Sequence, residues 1–108
     1  MKLPTEVFGD VVVVHTPEEL SGDTAGQLEC FLTSLERANV IVDLNGSETI
    51  DSTGLEALLN AQETLRGLVG DLKIATSVPA NRKILEITRL DQQLEVFDSV
   101  IDAVKSFV

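Results

Sequence analysis

The residues of this chain best placed to do chemistry are hydroxyls. The run Asp51-Ser52-Thr53-Gly54-Leu55 follows a polar stretch from Asn45 to Ile50, which itself follows the apolar run Val40 to Leu44. Helical periodicity resumes beyond it. Hydroxyls at such a boundary stand at the start of a helix, where the first backbone N–H groups have no intrahelical partners. Ser52 can accept from one of those N–H groups as an N-cap, worth about 0.5–2 kcal/mol over Ala, and Thr53 is a neighbour that supports the turn. Gly54 costs about 1 kcal/mol against Ala so early in a helix. Its presence implies that something approaches the backbone closely, either a partner or a neighbouring strand.

Catalytic chemistry finds little support. His15 is the only histidine, and no Cys or His pattern accompanies it, so no metal is expected. A Ser–His–Asp arrangement would have to use His15, which nothing in the sequence places near Ser52. There is no Gly-rich loop of the Lys-Ser/Thr type to cradle a phosphate. No catalytic residue, cofactor or metal is therefore expected, and an acid–base enzyme of unnamed substrate stands as a distant alternative. Asp43, at the end of an apolar run, has two readings: it receives backbone N–H groups near Ser52, or it is solvated at a strand end.

The elements that must position these residues read as follows. Asp10 to His15 contains four consecutive valines, and β-branching at every position predicts a strand buried on both faces, ended by Pro17. Leu28, Phe31, Leu32 and Leu35 recur at helical spacing and predict a helix from Thr24 to Ala38, capped by Asp23 or Thr24, with Cys30 as a buried, inert thiol on its stripe. Val40 to Leu44 predicts a second strand, and Asn45-Gly46 a turn. A second helix runs from Ser52 to about Leu68 on Leu55, Leu58, Leu59 and Leu65, ended by Gly67 and Gly70. Asp71 to Ser77 is a third strand. Pro79 opens a third helix to about Thr88, burying Ile84 with Leu85 or Ile87. Leu94 to Phe97 is a short fourth strand, and Asp98 or Ser99 caps a last helix with Val100, Ile101, Val104 and Phe107 inward.

Strands alternating with helices predict an α/β fold: a mixed, partly parallel sheet of about four main strands with about four helices. The 108 residues suffice for one domain with a real core, and no linker or repeat divides them, so a single domain over 1–108 is expected. Eight Lys and Arg stand against eighteen Asp and Glu, a formal charge of −10. Such a surface repels nucleic acid and anionic membranes. It either suits a basic partner protein or simply keeps the domain soluble. No apolar run approaches the roughly 18 to 20 residues that cross a bilayer, and no secretory signal is seen. A cytoplasmic, bacterial-type protein that does not insert directly into a membrane is expected.

The run Ile50-Asp51-Ser52-Thr53-Gly54-Leu55 resembles the Asp-Ser-Ser/Thr-Gly-Leu signature of the anti-sigma factor antagonists of the STAS-domain family. The strand Val40 to Leu44 is similar to the one those proteins place before it. Glu19-Leu20, Thr24-Ala25 and Leu28 resemble the family's first loop and helix, and Gly70 to Ile74 with Leu85 to Leu90 follow its later pattern, so the resemblance covers nearly the whole chain. It implies a STAS-like fold and a protein-binding module. It implies that Ser52 is phosphorylated by a partner anti-sigma factor that is also a serine kinase, that the unphosphorylated form binds this partner, and that a phosphatase resets the switch. Asp51, Ser52, Thr53, Gly54, Leu55 and Ser21 are then the partner-binding residues. The chain departs from the family pattern at Ser21, where an acidic residue often follows Leu20, and at Glu56 and Asn60, where small residues are common. These positions bear on the identity of the kinase. An alternative within the same resemblance is a stand-alone STAS subunit of a membrane transport complex, held against its ATPase, in which Ser52 need not be modified.

Overall fold

The computed structural model describes residues 3–107. Its elements are β1 (Thr5–Phe8), β2 (Val11–His15), β3 (Glu19–Leu20), α1 (Gly22–Thr33), β4 (Asn39–Asp43), β5 (Thr49–Ile50), α2 (Ser52–Gly67), β6 (Asp71–Ala75), α3 (Pro79–Ile87), a single 3-10 turn at Leu90–Gln92, β7 (Val96–Phe97) and α4 (Val100–Lys105). Five strands form a mixed sheet in the order β1-β2-β4-β6-β7. β1 pairs antiparallel with β2, and all other neighbours in this sheet are parallel. The α/β architecture with four helices expected from the sequence is the one found. The four expected strands correspond to β2, β4, β6 and β7.

The valine strand explains the layering. Val12 and Val14 join the large core formed with Leu28 and Leu32 of α1, Leu58 and Leu65 of α2, and Leu85 of α3. Val11 and Val13 point the other way, into a smaller cluster with Ile41, Ala75 and Ala103 of α4. Three helices thus cover one face of the sheet and the short α4 covers the other. Each β-α-β crossover from β2 to β7 lies on the same face, and the strands advance in one direction, as the handedness rule for parallel crossovers requires.

The structure moves several expected boundaries. β1 was not foreseen, because all four of its residues are exposed and carry no apolar alternation. α1 begins at Gly22 with Ser21 as its N-cap, not Asp23 or Thr24; Thr24 instead accepts the Ser21 amide through Oγ1 at 3.0 Å. It ends at Thr33 rather than Ala38, where the Ser34 amide closes on Cys30 O and Phe31 O and the Thr33 and Ser34 hydroxyls add bonds to Glu29 O and Phe31 O. Cys30 is exposed, one step off the stripe of Leu28 and Leu32. The fourth strand shortens to Val96–Phe97 because Leu94 is drawn into the core. Ser99 caps α4, accepting from the Asp102 amide, and Ile101 faces outward, as does Ile87 on α3.

The end of α2 carries the backbone's most costly conformation. The Val69 amide donates to Arg66 O and the Gly70 amide to Leu65 O, the double closure of a Schellman motif. Val69 sits in its left-handed position at φ 63°, where glycine is usual and a β-branched residue is strained. Gly70 is required for another reason: a Cβ there would lie 2.1 Å from Ala38 O. The Val69 side chain is 96% exposed, so removing it forfeits no packing. Val69→Gly is expected to raise stability by about 1 kcal/mol, checked by urea unfolding with an unchanged m-value.

Candidate functional site

The expected site lies where two helices begin side by side. β3 pairs in parallel with β5, Glu19 opposite Thr49 and Leu20 opposite Ile50. This two-residue ribbon stands apart from the main sheet, and each strand feeds directly into a helix, β3 into α1 and β5 into α2. The ribbon is only two residues long, so what holds it must lie around it. Glu48 and Thr49 donate from their amides to Glu18 O, and the Asp51 amide donates to Leu20 O. Beneath, Thr16 and Ser47 share a buried hydroxyl–hydroxyl bond of 2.6 Å, Ser47 donates to Pro17 O, and Asn81 Nδ2 donates to Leu44 O at 3.0 Å. Sequence reading missed this network. Isolated Thr, Ser and Asn residues carry no periodic signal, and only their convergence marks them.

Gly54 answers the question its cost raised. A Cβ at this position would lie 2.4 Å from Leu20 O and 3.0 Å from Leu20 Cγ. The neighbour is therefore β3, and the glycine lets the first turn of α2 lie against the strand that leads into α1. Leu55 is buried in the main core. Gly54 and Leu55 thus shape the site from below, whereas Asp51, Ser52 and Thr53 are exposed on top of it.

The hydroxyls divide the work. Asp51, not Ser52, is the N-cap of α2: its Oδ1 accepts from the Gly54 amide at 3.0 Å. Thr53 Oγ1 donates to the same oxygen at 2.5 Å and accepts from the Gly22 amide at 3.0 Å, so it ties the start of α2 to the start of α1. Ser21 Oγ donates to Glu19 Oε1 at 2.9 Å. Ser52 is the first residue of the helix, and among the described residues its hydroxyl has no hydrogen-bond partner. The capping use of Ser52 is thereby replaced by Asp51. The Thr53 hydroxyl and then the Gly54 amide hold the Asp51 carboxyl below its ordinary pKa. What this contributes to stability is present above the unfolded-state pKa and is lost as pH falls through the folded one.

His15 and Asp43 lie elsewhere. Asp43 is buried at the end of β4, where Oδ1 accepts from the Asn45 amide and Oδ2 meets His15 Nδ1. It neither caps α2 nor lies solvated, because β2 and β4 pair His15 directly opposite it. Among the described residues no group of three or more His, Cys, Asp or Glu is placed to hold a metal ion, and no helix is long and apolar enough to cross a membrane.

A mixed sheet with three helices on one face and an exposed Asp-Ser-Thr at a helix start defines a class. The family model of the STAS domain matches residues 2–103, and the chain belongs to that family. Among solved structures it is similar to an anti-sigma factor antagonist from Mycobacterium paratuberculosis, at 25% identity and a TM-score of 0.85, covering 97% of this chain and 92% of that one. It is also similar to a sulfate transporter family protein from Wolinella succinogenes, at 21% identity and a TM-score of 0.81 over 94% of this chain and 87% of that one. The Bacillus cell fate determinant SpoIIAA in its phosphorylated form shares the fold at 17% identity and a TM-score of 0.73, over 99% and 100% of the two chains. No curated protein matches the sequence.

Two glycine substitutions test the close approach. Gly54→Ala is expected to destabilise by about 1–3 kcal/mol, because overpacking against Leu20 outweighs the gain in helix propensity. Gly26→Ala in α1, where a Cβ meets nothing within 4 Å, is expected to stabilise by about 1 kcal/mol. Thermal unfolding of the two variants beside the wild type reads the opposite signs.

Proposed function

We propose that the chain is one STAS domain acting as a regulatory protein-binding module of the anti-sigma factor antagonist type, switched at Ser52. In its unmodified state it binds an anti-sigma factor that is also a serine kinase. Phosphorylated on Ser52 it lets go, and a phosphatase restores it. The contact surface is Asp51, Ser52 and Thr53 with Ser21 beside them, shaped from below by Gly54 and Leu55, in a cytoplasmic setting. The observation that carries this reading is the unpartnered, exposed Ser52 hydroxyl at the first position of α2, flanked by Thr53 and Ser21 hydroxyls that are already engaged.

The physics favours a switch at the surface rather than in the fold. A phosphate adds roughly −1.5 to −2 charges. At a helix N-terminus the free N–H groups and the dipole accommodate that charge, so the domain keeps its structure. The penalty falls on the docked state, where the dianion must be desolvated beside the Asp51 carboxylate and close in sequence to Glu48 and Glu56. A hundredfold loss of affinity needs only about 2.7 kcal/mol.

A second reading rests on the likeness to the sulfate transporter family protein: a subunit of a transport complex held against its ATPase through the same helix edge, without modification. Affinity capture from the native lysate separates the two, using wild type, Ser52→Ala and Ser52→Asp. The switch predicts that an ATP-binding serine kinase is retained by wild type and Ser52→Ala, and lost about a hundredfold by Ser52→Asp, with thermal unfolding of all three unchanged. Retention of a transporter ATPase by all three supports the second reading. Unfolding of Ser52→Asp would overturn the surface mechanism.

A further inference from the structure

The one histidine of the chain is held between two carboxylates from two different strands. His15 Nδ1 lies 2.9 Å from Asp43 Oδ2 on β4, and His15 Nε2 lies 2.7 Å from Glu6 Oε1 on β1. β1 is the edge of the sheet, joined to it by β2 alone, and none of its four residues is buried. Its other end carries Phe8, which with Val100, Ile101 and Val104 of α4 lines an apolar groove. Little apolar burial fastens this strand, so the side-chain bridge across its middle matters more than it would in the interior.

We propose that Glu6, His15 and Asp43 form a proton-operated latch that fastens the edge strand β1 to the sheet. A doubly protonated imidazole donates Nδ1–H to Asp43 and Nε2–H to Glu6, two charge-assisted hydrogen bonds at once. A neutral imidazole has one N–H. It can serve one carboxylate only, and its bare nitrogen then faces the other. Asp43 is buried and also accepts from the Asn45 amide, so it keeps its place. Glu6, whose side chain is 55% exposed, is the partner that water can replace. Loss of the proton therefore opens the latch on the β1 side.

The charges that face the ring are these two carboxylates. β2 otherwise holds valines, and α4, which packs on the same face of the sheet, carries Asp102 and Lys105, neither of which bonds to the ring among the described residues. The Glu6 hydrogen bond is the largest influence raising the His15 pKa above its ordinary 6.5, with Asp43 adding to it against the effect of burial. The sign follows: the latch is fully closed below the ordinary histidine pKa and opens as pH rises through the higher folded value.

The test uses the wild-type chain and Glu6→Gln, an exposed, nearly isosteric change that keeps the fold. His15 is titrated by NMR through its ring proton, which no other histidine obscures, and amide-exchange protection of Glu6 and Phe8, the β1 amides that point toward β2, is followed against that of Val40 to Val42 in β4. In wild type the protection of β1 relative to β4 is expected to fall about two- to fivefold as His15 loses its proton, the range of a partly exposed ion pair. In Glu6→Gln the His15 midpoint is expected to drop and the relative protection to become independent of pH. Parallel change of β1 and β4 in wild type, or an unchanged His15 midpoint in Glu6→Gln, would overturn the latch.

Discussion

The contact between the first turn of α2 and the carbonyl of Leu20 is the constraint on which the rest of the site depends. A strand and a helix can meet at that distance only where no Cβ intervenes, and Gly54 supplies the gap. Once they meet, two helix N-termini are side by side. The Gly22 amide then reaches Thr53, Thr53 reaches Asp51, and Asp51 closes on the Gly54 amide. The Thr53 hydroxyl is committed in both directions, while among the described residues the Ser52 hydroxyl has no partner. The free hydroxyl is thus a remainder left by close packing.

The same economy appears in the layers. A sheet whose central strands are almost wholly aliphatic needs cover on both faces. Three crossover helices provide one cover, and the six residues of α4 provide the other. Lys73 shows how tightly that second cover is drawn. It lies on a central strand, with its side chain only 8% exposed. Its Nζ donates to Ser106 Oγ at 2.8 Å and to Ser106 O, and stands 4.1 Å from the centre of the Phe107 ring. The end of α4 is thus gripped by a cation from the sheet it covers, an interaction that joins a terminal carbonyl and an aromatic face to one ammonium group.

Much of this was legible in the sequence because it rests on periodicity. Four valines in a row read as a strand buried on both faces, and the leucines of α2 mark its inward side over about three turns. The helix start at Ser52 was legible for the same reason. The identity of its cap was not, since Asp51 and Ser52 are both good caps and only backbone geometry separates them. β1 and the β3–β5 ribbon were illegible because exposed or two-residue strands have no pattern to read. The pairing of His15 with Asp43 and Glu6 was illegible because it depends on register, which sets residues 28 and 9 positions apart directly beside one another. For the same reason the sequence allows Asp43 to receive backbone N–H groups near Ser52, whereas register sets a histidine across from it.

The thin cover on the second face has a consequence for how the chain is made. Strands β2, β4 and β6 and the three helices on the first face are all complete before α4 is synthesised. Until it arrives, Val11, Val13, Ile41 and Ala75 form an open aliphatic floor with the Lys73 amine standing in it. Any intermediate in which α4 has not yet docked presents that floor, adhesive to other hydrophobic chains.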